Sequence, residues 1–514
     1  MKAEVVAAMD EVLISGGTLV DGSGAAPRVA DVLLRDGRVA HIGEGASAGH
    51  VIDASGLVVA PGFVDLHSHA DFTLTGQPDA EACVRQGVTT LVTGNCGLST
   101  FPAPAFGVDL GFFADSVEAA RPAVNVAPLV GHGALRAAVL GQEQRQATPE
   151  ELAEMRRLLA VAAGQGAFGL TTGLIYAPGS FADTAEIEAL ATEAASHGLL
   201  YATHMRDEGD RLIEAVGEAI GVARASGVRL QISHLKAMGP ANHGKVAAAL
   251  EMLESAVAGG LDVACDVYPY TASSTTLTSR LPGWALDGGT PALLERLADP
   301  EARERILEDL RPAVGRTFLP EGVIIASLGP GRFADRVGDS IASVAKDLGV
   351  EPAEAVLEVL AAHEASVSIV NHAMAEDDVD LVLRHPSSAV ASDGWVLRAP
   401  GEGHPHPRSF GTFARVLGHY TRERGLLDLA ESVRKMTSLP ASRLAMTERG
   451  TLAPGRVADV VVFDPERVED LATYADPWHY AAGVRDVFVA GRAVLLGGEI
   501  TGARPGRVLR GRAA

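Results

Sequence analysis

Residues 58–70 read VVAPGFVDLHSHA. An apolar, β-branched run breaks at Pro61-Gly62, resumes as FVDL and ends on two histidines, so one strand leads straight into a second. On a strand the i, i+2 spacing of His67 and His69 puts both imidazoles on the same face. Polar, metal-ligating side chains at a strand end are what a β/α barrel gathers at its active-site rim. The stretch therefore reads as the junction between a small β unit and the first strand of a barrel.

Upstream, residues 11–60 are strand and turn, with Asp36-Gly37 as a tight hairpin turn between DVLLR and RVAHIG. The same pattern returns near the other end in GRVADVVVFDP and VRDVFVAGRAVLLGGEI. Neither piece closes a core alone, so the two ends are expected to form one β-sandwich from residues 1–60 and 441–514. Between them, over 61–440, strands alternate with helical stretches such as TPEELAEMRRLLAVAAGQG, the signature of parallel βα units and here of a TIM-type (β/α)8 barrel. Candidate strands are FVDLHSH, TTLVTG, VNVAPLV, GLTTGL, LLYATHM, VRLQISH, DVACDVY, VIIASL, VSIVNH and AVASDG. Ten compete for eight places. LPGWALDGG, the charged helical run after it and VIIASL suggest an insertion over the barrel mouth near 282–330. The Gly/Arg-rich segment after residue 500 reads as a surface tail.

With 47% hydrophobic residues in 514, the chain can bury a large core. A formal charge of −22, from 43 basic against 65 acidic residues, disfavours nucleic acid and anionic membrane as partners. Three cysteines make no disulfide framework, and no uninterrupted apolar run of ~18 residues appears, so a cytoplasmic protein is expected.

Four further candidates end apolar runs: Cys96 in GNCGLS, His204 in ATHMRDEGD, His234 in ISHLKAMG and Asp393 in ASDGW. Alone, Cys96 would be a small buried apolar group and Asp393 a turn residue. Together with His67 and His69 they offer imidazole, thiolate and carboxylate, a donor set that suits zinc better than magnesium or calcium. Cys83 and Cys265 lack such a setting and are read as packing residues. Arg206, Asp207 and Glu208 are read as a local ion-pair network.

These motifs resemble the D-aminoacylase (N-acyl-D-amino-acid deacylase) family of the amidohydrolase superfamily. The resemblance runs end to end through PGFVDLHSH, GNCG, GLIYAPG, ATHMRDEG, ISHLKA, DVYPYTASSTTL, SDG, HPRSFGTFARVLG and LAPGRVADVVVFDP. It implies a tightly bound zinc on Cys96, His204 and His234, with His67, His69 and Asp393 at a second, weaker position bridged by the cysteine sulfur. It also implies hydrolysis of N-acyl-D-amino acids. Cyclic amidohydrolases generally bridge their metals with a carboxylated lysine from the fourth strand, and GLTTGLIY has none.

In such a site Asp393 is the expected catalytic acid–base. Lys236, Arg408, Tyr176 and Tyr268 are implied to bind the substrate carboxylate. Leu277, Trp284 and Met374 are expected to line an apolar specificity pocket, so hydrophobic side chains are expected, although Arg280 would instead suit an acidic one such as D-glutamate. His132 and His372 are further candidates for substrate contact, and His404 and His406 flank prolines as if to order Arg408. The competing readings are a cyclic-amide or dipeptide hydrolase on the same scaffold and a non-catalytic relative that has kept the barrel.

Overall fold

The structure, a computed structural model, describes residues 11–511. Eight parallel strands form the centre: Phe63–Asp65, Val88–Thr93, Asn125–Gly131, Gly169–Gly173, Leu200–His204, Arg229–Ile232, Val263–Val267 and Ser388–Val390. Each pairs with the next. The ring closes where Ser68 bridges Gly394 in parallel, with the His69 N–H donated to Gly394 O at 2.8 Å and the Asp393 N–H to His67 O at 2.7 Å. Closure thus lays the His67/His69 strand end directly beside Asp393.

Period-2 alternation sorts each strand's side chains between two cores. Val92, Ala127 and Leu200 fill the barrel interior, while Leu91, Val126 and Tyr201 face the surrounding helices. Those helices carry the complementary stripe. Pro149–Gly164 buries Met155, Leu158, Leu159, Ala162 and Ala163, a 3.6-residue pattern, and starts at a capping box between Thr148 and Glu151.

The chain ends meet in one nine-stranded sheet, in which Val460–Phe463 runs antiparallel to Val58–Pro61. Val59, Val460 and Val462 pack with Val12, Ile14, Val32 and Phe488 on one face; Val58, Ala60, Val461 and Phe463 pack toward the barrel on the other. Pro61-Gly62 is the crossing point between the two units.

One expectation changes. The insertion is wider than 282–330: Ala272–Thr276, Val323–Leu328 and Val367–His372 form a separate antiparallel three-stranded sheet with its own apolar core and helices. VSIVNH is its central strand, with Val367, Ile369 and Asn371 buried on one face and Val370 on the other, and so has the composition of a barrel strand without being one. The segment after 500 lies at the surface, with Val508 alone buried among its described residues, but it is pinned to the barrel. Val508 bridges Val126, and the Leu509 and Gly511 N–H groups donate to Val126 O and Gly166 O at 2.7 and 2.8 Å. Among the described residues no helix is long and apolar enough to cross a membrane.

Candidate metal centre

All six candidate ligands lie at the C-terminal rim of the barrel and are buried. Cys96, His234 and Asp393 have φ of +55°, +35° and +50°, a region costly for non-glycine residues and typical of functional positions held by their surroundings. Each leaves its strand by this sharp reversal, which turns the side chain over the barrel mouth. The loop carrying Cys96 packs so closely that a Cβ on Gly173 would come within 1.9 Å of Cys96 O. Glycine is required there.

Two groups of ligand atoms result, each with all its atoms within 4.8 Å of one another: Cys96, His204 and His234, and His67, His69, Cys96 and Asp393. The Cys96 sulfur belongs to both. It stands 3.6 Å from His204 Nδ1, 3.5 Å from His234 Nε2 and 3.2 Å from His67 Nε2. Asp393 Oδ1 is 3.0 Å from His69 Nε2 and 3.4 Å from His67 Nε2.

The outer ring nitrogens show that this donor set fits a metal. Glu208 backs two histidines, at 3.0 Å from His234 Nδ1 and 3.4 Å from His204 Nε2; Asp266 lies 3.4 Å from His67 Nδ1. Carboxylates thus stand behind three imidazoles, the arrangement found around metal-bound histidines, with Glu208 within hydrogen-bond distance of His234 while His67 Nδ1 and His204 Nε2 complete no hydrogen bond. Thiolate and imidazole donors together favour zinc.

Glu208 forms an ion pair, with the Lys236 ammonium, and its carboxylate also meets His204 and His234. Its i+4 spacing from His204 was the available signal. Asp266, in DVACDVY, carried none, because its partner His67 comes from a distant strand.

Burial alone would push the Cys96 thiol up, but His67 and His234 hold it well below the usual thiol range. Cys83 and Cys265 are pushed up by burial, Cys265 to about 12 even though Lys435 and Arg443 oppose the shift. Burial likewise opposes ionisation of Asp393, yet Arg408 and His67 hold its carboxyl well below the ordinary carboxylate range.

Arg408 Nη1 lies 2.8 Å from Asp393 Oδ2, and its guanidinium stacks 4.9 Å from the Tyr268 ring centre. The Lys236 ammonium sits 2.8 Å from His234 Nδ1 and pairs with Glu208. Tyr176 packs edge-on to His204 at 5.0 Å and bonds Thr275 of the insertion at 2.9 Å. These four residues therefore adjoin the ligand cluster. Met374 stays beside it, its sulfur 3.9 Å from the Tyr268 hydroxyl.

The other expected pocket residues separate. Leu277 is fully buried in the insertion's own core, against which Trp284 also packs; the Trp284 indole donates to Asp309 at 2.7 Å and stacks under Arg305. Arg280 is different: its charge is felt by Tyr176 and Glu208, and its buried Nε has no partner among the described residues. His132 is tied up with Glu186 at 2.7 Å, and His372 packs on Tyr474.

Residues 50–495 match the family model described as "Amidohydrolase family". The chain is 40% identical to the D-aminoacylase of Alcaligenes xylosoxydans xylosoxydans over 98% of both chains. It is 39% identical to that organism's N-acyl-D-glutamate deacylase, over 97% of this chain and 96% of the other. Its fold superposes with a TM-score of 0.84 and 37% identity on the crystal structure of the N-acyl-D-glutamate deacylase of Bordetella bronchiseptica, covering 97% of this chain and 99% of that one. That enzyme is complexed with zinc and a phosphonate mimic of the tetrahedral intermediate.

Proposed function

Because this chain belongs to the amidohydrolase family, and within it to the metal-dependent N-acyl-D-amino-acid deacylases, we propose that it hydrolyses the amide bond of N-acyl-D-amino acids and prefers acidic side chains. The observation that carries the hydrolytic reading is the convergence of one sulfur, four imidazoles and one carboxylate, backed by Glu208 and Asp266. Cys96, His204 and His234 would hold the tighter zinc, and His67, His69 and Asp393 the weaker position. Zinc, when bound, supplies Lewis acidity that brings the acidity of water from ~15.7 toward ~7 and polarises a carbonyl.

The remaining work falls to the chain's own side chains. Asp393, kept ionised by Arg408, accepts the proton of the attacking water on a carboxylate oxygen and delivers it to the departing nitrogen, so that the amine leaves neutral. Arg408, Lys236, Tyr268 and Tyr176 surround the place where the substrate's α-carboxylate would sit. The D configuration follows from the family likeness.

Arg280 supports the acidic preference. The buried Nε of Arg280 makes no hydrogen bond, a cost that an anionic ligand would offset, and Leu277, expected to line the pocket, lies in the insertion's own core. The test is kcat/KM for N-acetyl-D-glutamate, N-acetyl-D-leucine and N-acetyl-L-glutamate with zinc present. D-Glutamate should lead D-leucine by at least about tenfold, and Arg280→Leu should erase the lead. Faster turnover of D-leucine would restore the hydrophobic preference, and turnover of hydantoin alone would point to a cyclic-amide hydrolase.

A further inference from the structure

The insertion roofs only part of the barrel mouth. It reaches the loop after the third strand through Gly288 N–H to Gln142 O at 2.9 Å, the loop after the fourth through Thr275 to Tyr176 at 2.9 Å, and the loop after the sixth through Ser273 to Met238 at 4.0 Å. It also reaches the far end of the loop after the eighth, through His404 N–H to Ala326 O at 2.7 Å and His406 Nε2 to Ala272 O at 2.9 Å, leaving the near end of that loop uncovered at Trp395. The loops after the eighth, first and second strands present Trp395, Phe72 and Leu98, which remain 41%, 44% and 39% exposed. Single exposed apolar residues are ordinary, but three on adjoining strand ends beside a buried ligand cluster call for a partner.

The Trp395 ring centre lies 5.9 Å from His69 and 5.7 Å from Phe72. Both aromatic loops are held in place: Trp395 N–H donates to Ser409 Oγ at 3.1 Å, and Val396 N–H to Thr73 Oγ1 at 3.0 Å. In an eight-stranded barrel the first strand stands opposite the fifth. His69 and its aromatic neighbours therefore face, across the cluster, His204 with Tyr176 at 5.0 Å.

A linear amide lying over the cluster has two unlike ends. Its amino-acid half carries the carboxylates and is drawn under the roof toward Lys236, Tyr176, Tyr268 and Arg408, whose Nη2 donates to Ser274 O of the insertion at 3.2 Å. Its acyl half then extends toward the open side. Resting on the deacylase reading above, we propose that Trp395 and Phe72 form an acyl subsite, and that the enzyme takes N-acyl groups larger than acetyl, aromatic or extended aliphatic, laid on these rings. An acetyl methyl is too short to cover them; a phenylacetyl or hexanoyl group is not, and aromatic or apolar contact there strengthens with buried area.

The experiment compares N-acetyl-, N-hexanoyl- and N-phenylacetyl-D-glutamate as substrates of the zinc-loaded protein, and measures equilibrium binding of the acetyl and phenylacetyl compounds to the metal-stripped protein. The larger acyl groups should raise kcat/KM about tenfold over acetyl, and Trp395→Ala and Phe72→Ala should each shrink that ratio and the corresponding binding ratio. Equal kcat/KM across the series, or a ratio unchanged in both variants, overturns the acyl subsite while leaving the deacylase reading in place. Failure to hydrolyse any of the three removes the deacylase reading and the subsite together.

Discussion

His406 accepts the backbone N–H of Arg408 on Nδ1 at 3.0 Å, and its Nε2 lies 2.9 Å from the Ala272 carbonyl, to which it donates. Both nitrogens are engaged in the neutral ring, and burial beside the Arg408 guanidinium holds His406 well below the ordinary imidazole range. One side chain thus fastens the first strand of the insertion to the helix that presents Arg408 to Asp393. His406→Ala should raise KM about tenfold, equivalent to about 1.4 kcal/mol, with a smaller change in kcat. His406→Asn, whose amide oxygen can still accept the Arg408 N–H, should recover part of it. Steady-state kinetics on the three proteins decide this, and an equal fall of kcat in both variants with KM unchanged would count against a positioning role.

Replacing Asp393 with asparagine keeps the size of the side chain and removes the proton acceptor. Activity should fall by about 10² to 10⁴, while the protein keeps its thermal midpoint to within a few degrees and retains one equivalent of zinc on purification. Loss of both zinc and activity would place Asp393 in the tighter metal position instead.

Glu208 touches two histidines of one cluster, so Glu208→Gln should weaken zinc binding by about 10- to 100-fold. A chelator-competition titration reads this directly. Unaltered affinity would return Glu208 to the ion-pair role expected from sequence.

The three cysteines should part company in the metal-stripped protein. With its thiol held well below the usual thiol range by His67 and His234, Cys96 should lose alkylation by iodoacetamide less steeply than an ordinary thiol as pH falls from 9 to 7. Cys83 and Cys265, pushed up by burial, should resist at every pH in it. Added zinc should protect Cys96, and mass spectrometry of the labelled peptides reports all three.

Leu277→Ala separates core from pocket. The side chain is completely buried among insertion residues, so truncation should cost about 2–5 kcal/mol locally and lower the thermal midpoint without changing the D-glutamate to D-leucine ratio. A changed ratio would bring Leu277 back to the substrate.

Much of this protein is written in short-range patterns. Strand ends followed by histidine, cysteine or aspartate, period-2 alternation at 58–60 and 460–463, and the glycines around Cys96 are all readable one segment at a time, because each reflects a local backbone preference or a single buried face. What adjacent residues cannot encode is which distant segment arrives opposite. VSIVNH carries the composition of a barrel strand yet pairs inside the insertion, Asp266 finds its histidine two hundred residues away, and Leu277 turns into a core while the Nε of Arg280, three residues on, makes no hydrogen bond. The amino-acid sequence determined the candidate ligands and the kind of scaffold that gathers them. Only the closed tertiary structure decided which carboxylates stand behind them and which side of the mouth lies open, since both depend on contacts between elements far apart in the chain, made only when the barrel closes and the insertion settles over it.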